Sequence, residues 1–221
     1  MTKQNATKVV LCDDHALLRD ALATVINNFD EFRVIHTVNN GHELMKSLTD
    51  GYVPDIILLD LNMPVIDGFT TAKFLYETHP DIKILILTMY DSEIALIRLL
   101  QVGVKGFLKK DVHPNELRSA LNSVAQNGFY YSHDTTGKLA SLFQKDAQNN
   151  AMIEKAMLSE KELEFLRLAS TDMTYKEIAD KLKITPRAID GYRDALFEKL
   201  DVKSRVGLAI YAVRNGIVNF Q

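Results

Sequence analysis

Short apolar runs alternate with amphipathic stretches through roughly the first 130 residues of the chain. The runs KVVLC, FRVIHTV, DIILLD, KILILT and GFLKK are brief and bounded by polar or turn residues, and this predicts five strands. Between and after them, HALLRDALATVINNF, GHELMKSLT, TTAKFLYETH, SEIALIRLLQ and PNELRSALNSVAQN repeat their apolar residues at helical spacing. Strands that alternate with helices join through right-handed crossovers, which place helices on both faces of a parallel sheet. The expected fold of this part is α/β.

The pattern then changes. The stretch SHDTTGKLASLFQKDAQNNAMIEKA is polar, offers one weak helical patch and has no strand signal, so residues 131–156 read as a linker between a first domain at 1–130 and a second at 157–221. The second domain carries helix signals only, at roughly 159–170, 174–182, 185–200 and 204–215. SEKE and TYKE both fit the capping box, and Thr185-Pro186 supplies a cap followed by a first-turn proline. Leu163, Leu166, Ile178, Ala179, Leu182, Ile184, Ile189, Leu196 and Leu200 recur at helical spacing and form its expected core.

Composition narrows the function classes. With 221 residues, 47% of them hydrophobic, the chain can build two cores. A formal charge of -3 gives no bulk attraction to nucleic acid or membrane, so binding of either kind needs a local patch. The single cysteine, Cys12, excludes an internal disulfide and reads as a small core residue. MTKQNATKVVLC lacks the apolar core of a secretion signal, and no run approaches the roughly 20 residues that cross a bilayer. The expectation is a cytoplasmic protein with no membrane partner.

Candidate chemistry gathers at the strand ends. Asp13 and Asp14 follow the first run, Asp60 ends the third, Thr88 the fourth and Lys110 the fifth. In a sheet ordered 2-1-3-4-5, strands one and three are neighbours at the switch point, so the three carboxylates converge where ligands bind in open α/β sheets. Clustered anions call for a cation, and a hard divalent ion such as Mg²⁺ suits oxygen ligands. With a hydroxyl and an ammonium at the same edge, Asp60 is placed to take a phosphoryl group as an acyl phosphate. His15 and the other histidines lack metal-ligand spacing and read as solvated or structural.

LCDDHALLRDAL, LLDLNMPVIDG, LTMYD and GFLKKD together resemble the receiver domain of two-component response regulators, a flavodoxin-like (βα)5 fold. The resemblance implies that Asp60 is the phosphoacceptor and that Asp14, Asp60 and the backbone carbonyl of Asn62 ligate Mg²⁺, with Asp13 acting through water. It implies further that Thr88 and Lys110 contact the phosphoryl oxygens and that Phe107 is the aromatic switch. Family spacing, four residues after Gly106, selects Lys110 over Lys109. Pro64 and Gly68 shape the loop behind Asp60. Tyr90, two residues beyond Thr88, is expected to border the pocket and shield the acyl phosphate from water.

EIADKLKITPRAI reads as helix, turn, helix. The whole stretch from Leu158 to Val218 resembles the LuxR or GerE-type DNA-binding domain that follows a receiver in NarL/FixJ-family regulators, an all-α four-helix unit. Asp172 stands where that family usually has a turn glycine, which implies a left-handed aspartate. Asp190 and Asp194 interrupt a segment that is usually more basic. If Ile189, Tyr192, Leu196 and Leu200 face inward, Arg187, Asp190, Gly191, Asp194 and Glu198 face the groove. Lys183, Thr185, Arg193, Lys199, Lys203 and Arg205 flank that face and complete the expected DNA contacts. The two aspartates either accept hydrogen bonds from cytosine and weaken nonspecific binding, or serve only as partners for neighbouring arginines. In the last helix, Val206, Ile210 and Val213 are assigned to the core, which leaves Leu208 and Tyr211 as a shielded patch or as a homodimer seam.

These readings describe a transcription regulator that is phosphorylated on Asp60 by a sensor histidine kinase and then binds double-stranded DNA as a homodimer. It is not an enzyme beyond its own phosphorylation and dephosphorylation. Two alternatives stand beside it. A haloacid-dehalogenase-type hydrolase also uses an aspartyl nucleophile, but it needs a second Asp where this chain has Asn62. A phospho-regulated protein-interaction module would fit the two acidic recognition positions.

Overall fold

The computed structural model of the chain describes residues 6–89, 93–132, 135–137, 158–215 and 217–218. They fall into two compact units. In the first part of the chain, β1 (Thr7–Cys12), β2 (Phe32–Val38), β3 (Ile56–Asp60), β4 (Lys83–Thr88) and β5 (Gly106–Lys109) are the strands. They alternate with α1 (Ala16–Asn27), α2 (Gly41–Thr49), α3 (Gly68–Thr78), α4 (Glu93–Gln101) and α5 (Pro114–Asn127). All pairings are parallel and the order is β2-β1-β3-β4-β5, as expected from the alternation.

Period-two alternation sorts the strand side chains onto two covered faces. Val9, Leu11, Ile56, Leu58, Leu85, Leu87 and Leu108 join Leu22 and Ile26 of α1 and Leu117, Leu121 and Val124 of α5 in one cluster. The intervening Val10, Cys12, Ile57, Leu59, Ile84, Ile86 and Phe107 are buried as well. Burial of each large apolar side chain contributes about 1.5–3 kcal/mol, which is why these short runs hold as strands. Polar caps set the helix starts: Asn40 accepts from the Glu43 N–H and Asp67 from the Thr70 N–H.

The second unit contains α6 (Glu160–Ala169), α7 (Tyr175–Leu182), α8 (Pro186–Leu200) and α9 (Arg205–Arg214). Both capping boxes close: Ser159 with Glu162 starts α6, and Thr174 with Glu177 starts α7. Thr185 caps α8 ahead of Pro186. Leu163, Leu166, Ile178, Ala179, Ile189, Leu196 and Leu200 are buried together, with Leu182 and Ile184 packed at the margin. Among the described residues of this unit, the left-handed non-glycine positions are Lys183 and Asp201, which end α7 and α8. Asp172 is not left-handed, which corrects the expectation for it. The Thr171 hydroxyl makes the turn instead, donating to the Leu168 carbonyl and accepting from the Met173 N–H.

The face of α9 is a second correction. Leu208 and Ala212 are fully buried in the core, joined by Ile217 just past the helix, whereas Val206 is 67% and Ile210 48% exposed. Apolar residues lie nearly all round α9, so periodicity did not choose between the two faces. The ends of the helix choose. The Arg205 guanidinium donates to the carbonyls of Ala169 and Thr171, and the Ile217 N–H folds back onto the Ala212 carbonyl. Leu208 therefore serves the core and is unavailable as a dimer contact; Tyr211 is half-buried against the same cluster. Tyr90 and most of the expected linker lie outside the described residues.

Candidate functional site

The pairing of β1 with β3 places Cys12 beside Leu59, so Asp13 and Asp60 leave the sheet at the same level. Asp60 lies beside Leu87 of β4, one residue short of Thr88. Five groups expected at the sheet edge are thus on the carboxyl ends of adjacent strands. Asp13, Asp60 and Thr88 are buried, while Asp14 stays partly open.

Lys110 ties this edge together. Its side chain is 9% exposed, and its Nζ lies 2.8 Å from Asp60 Oδ2 and 2.9 Å from Asp13 Oδ2. Neighbouring Lys109 points out to solvent, as strand alternation requires. Burial raises the Asp60 carboxyl to about 6; Lys110 opposes that rise and the Asp13 charge adds to it. Burial also works against the Lys110 ammonium, but Asp60 and Asp13 outweigh it and hold its pKa above the ordinary lysine value. The Asn62 main-chain N–H also donates to Asp60.

Asp13, Asp14, His15 and Asp60 offer ligand atoms within 4.8 Å of one another. Three carboxylates at this spacing suit a hard divalent cation. His15 is drawn into the cluster, its Nδ1 2.9 Å from Asp14 Oδ1 and 3.2 Å from Asp13 Oδ1, a placement its spacing in the sequence did not signal. Arg19 was also missed. Its Nη1 donates to the Asp13 carbonyl at 2.7 Å and to Asn39 Oδ1 at 2.6 Å, stitching the ends of β1 and β2.

The loop after β3 is shaped by close approach. A side chain on Gly68 would collide with the Asp60 carbonyl oxygen, so glycine is required there, and the Gly68 N–H donates to the Leu61 carbonyl. Val65, next to Pro64, is left-handed at φ 68° and 80% exposed. Such a conformation in a β-branched residue stores strain. Phe107 is buried and stacks on Tyr131 with ring centroids 6.2 Å apart. Burial and the neighbouring Asp60 and Asp13 charges push the Cys12 thiol far above its usual range, consistent with a core side chain.

In the helical unit, Lys183, Thr185, Arg187, Asp190, Gly191, Asp194 and Lys203 are exposed. Arg193 is forked between Asp190 and Asp194, at 2.8 Å to each. Lys199 is paired with Glu162 at 3.0 Å. Arg205 corrects another expectation: with two donors on backbone carbonyls and its guanidinium 5.3 Å above the Tyr175 ring, it is a strut within the unit rather than an open phosphate ligand.

Comparison with known proteins agrees with this geometry. Residues 9–122 match the family of response regulator receiver domains, and residues 156–212 match the luxR family of bacterial regulatory proteins. The oxygen regulatory protein NreC of Staphylococcus carnosus is 32% identical over 217 residues, covering 96% of this chain and all of that one. The response regulator GacA of Pseudomonas syringae pv. syringae is 31% identical over 212 residues, covering 96% and 98%. RcsB of Salmonella enterica serovar Typhimurium, solved bound to promoter P1flhDC with the phosphomimetic BeF3-, superposes with a TM-score of 0.67 at 25% identity, covering 95% and 99%. Receiver and helix-turn-helix region follow one another here in the same order over nearly the full length of these relatives, and the chain belongs to the two-component response regulators with a LuxR-type DNA-binding domain.

Proposed function

We propose that the chain accepts a phosphoryl group on Asp60 from a sensor histidine kinase in the cytoplasm, and that the phosphorylated form binds double-stranded DNA as a homodimer. The observation that carries this reading is the Lys110 ammonium shared by the buried Asp13 and Asp60 carboxylates at the switch point of the sheet. An Asp60 oxygen attacks phosphorus as the bond to the donor histidine breaks, leaving an acyl phosphate. Lys110 moves from the carboxylates to a phosphoryl oxygen, and Thr88 donates its hydroxyl to another. Asp14, Asp60 and the Asn62 carbonyl would hold Mg²⁺, with Asp13 acting through water; the ion supplies charge neutralisation between two anionic reactants. Phe107, buried beside Tyr131, is the element that responds to Thr88.

We keep the domain limits at 1–130 and 157–221; the matched segments run over 9–122 and 156–212, the second beginning one residue inside the expected linker. For the helical unit, the promoter-bound RcsB relative supports DNA as the partner. With Leu208 in the core, the dimer seam moves to exposed Val206 and Ile210, flanked by Tyr211. No described helix is long and apolar enough to cross a membrane.

The test is intact mass after incubation with a small acyl phosphate donor. Wild type should gain one phosphoryl group with Mg²⁺ and none in chelator, and Asp60→Asn should gain none. Equal labelling of wild type and variant would remove Asp60 from the reaction.

A further inference from the structure

We infer that Asp190 and Asp194, held by Arg193, form a pair of acceptors on α8 that reads cytosine in the major groove. The inference rests on the DNA-binding reading above and names what that surface recognises. Arg193 Nη1 donates to Asp190 Oδ1 at 2.8 Å, while its Nε and Nη2 reach Asp194 Oδ1 at 2.9 and 2.8 Å. Both carboxylates are thus gripped by one oxygen. Every contact recorded for the two carboxylates runs through Oδ1, and both side chains are more than half exposed, which leaves carboxylate surface open to a partner.

Depth separates the three side chains. Arg193 is 29% exposed and sits 5.8 Å over the ring of Tyr175, which stacks in turn on the fully buried Phe165. Asp190 and Asp194 are 57% and 65% exposed. The cation is set back and anchored to the core, and the two acceptors are outermost. This is a preorganised arrangement, because the rotamers of both aspartates are chosen before any partner arrives.

Gly191 follows Asp190 and is exposed to one side of the pair, and a Cβ there would meet nothing within 4 Å. The protein itself does not require glycine at this position, although glycine costs a helix about 1 kcal/mol relative to alanine. Close backbone approach of a partner to this turn accounts for it. Arg187, on the exposed first turn of α8, leaves a cation available for a phosphate.

The chemistry selects the base. An ionised carboxylate only accepts, so it repels phosphates and gains only from a donor. In the major groove the base donors are the amino groups of cytosine and adenine, and adenine places an acceptor, N7, beside its amino group. That N7 repels an approaching carboxylate, whereas cytosine carries only a C–H group on the corresponding side of its amino group. Residues four apart on a helix are about 5–6 Å apart, so the two aspartates meet different base pairs. Phosphate repulsion lowers affinity for every sequence, and correctly placed cytosines offset it.

The test uses the full chain after treatment with the acyl phosphate donor and Mg²⁺. Duplexes are selected from a random pool with wild type, Asp190→Asn, Asp194→Asn and Arg193→Ala, and affinities are then measured on the selected duplex and a scrambled one across a salt series. Wild type should select cytosine at fixed positions. Each Asn variant should lose about tenfold of that preference at one position and turn toward adenine, which asparagine contacts through both N6 and N7. Binding of the scrambled duplex should tighten in both. Arg193→Ala should loosen both positions together. Thermal melting monitors folding of each variant. Selection of the same bases with unchanged ratios by the Asn variants overturns the inference while leaving DNA binding intact. Failure of wild type and all variants to retain any duplex at low salt overturns the DNA-binding reading, and the inference falls with it.

Discussion

The same device occurs twice in this molecule: a cation shared by two aspartates. At the sheet edge Lys110 sits between Asp13 and Asp60, with all three side chains at most 9% exposed. On α8, Arg193 sits between Asp190 and Asp194, with the acids more than half exposed. The distances are nearly equal and the physics is not. In the pocket, burial has displaced water, so each charge depends on its partners and Asp60 is pushed up to about 6. On the helix, water competes with every contact, and such pairs contribute at most about 1 kcal/mol to stability. In the buried triad each charge depends on its partners, whereas in the exposed triad the carboxylates remain open to water.

Removal of the cation should separate the two most sharply. Lys110→Ala leaves Asp13 and Asp60 buried without countercharge, and urea denaturation at neutral pH should show a loss of about 3–5 kcal/mol. A loss below 1 kcal/mol would mean that water already screens the pocket.

Removing the acid instead should have the opposite sign. Asp60 ionises near 6 in the folded chain against 3.8 as a free side chain. Below about 3.8 both states hold the proton and there is no penalty; as pH rises from 3.8 to about 6 the unfolded chain releases it first, and folded stability falls. Asp60→Asn should therefore be more stable than wild type by roughly 2–3 kcal/mol above pH 6, at about 1.4 kcal/mol per pKa unit, with the gap closing toward pH 3.8. Melts of both proteins across this range measure it, and a gap that does not vary with pH would contradict a buried ionised Asp60.

The strained loop beside the pocket is a smaller effect. Val65→Gly relieves a left-handed β-branched residue, and chemical denaturation should show a gain of about 1 kcal/mol. A loss would show that the valine side chain contributes packing that its exposure conceals. Smallest of all, Arg193→Ala should change stability by less than about 1 kcal/mol, in contrast to Lys110→Ala. An equal loss at both positions would erase the distinction between the two triads.

Much of the fold was legible because burial on both faces of a parallel sheet leaves a simple mark: Ile56 to Leu59 is an unbroken apolar run, and the carboxylate that ends it falls at the ligand-binding edge. The caps at Ser159, Thr174 and Thr185 were legible for a similar reason, since each satisfies backbone donors within four residues. Arg19 was not, because its acceptors are the Asp13 carbonyl and an Asn39 side chain on another strand end, and a backbone carbonyl has no residue type to recognise. The Asp190–Arg193–Asp194 fork was legible only as an alternative, since helical spacing permits the contact without requiring it.

Local pattern and short-range chemistry determined the alternation of strands and helices, the strand order through its crossovers, the helix caps and the residues of the acidic pocket. Tertiary packing alone decided which face of α9 turns inward, where Leu208 entered the core and Val206 and Ile210 were left outside. It also decided that Arg205 braces backbone carbonyls rather than standing open to solvent. The reason is common to both. An apolar stripe or a basic side chain states what a residue can do, but where two stripes compete or a donor can reach several acceptors, only the neighbouring elements, once packed, choose among them.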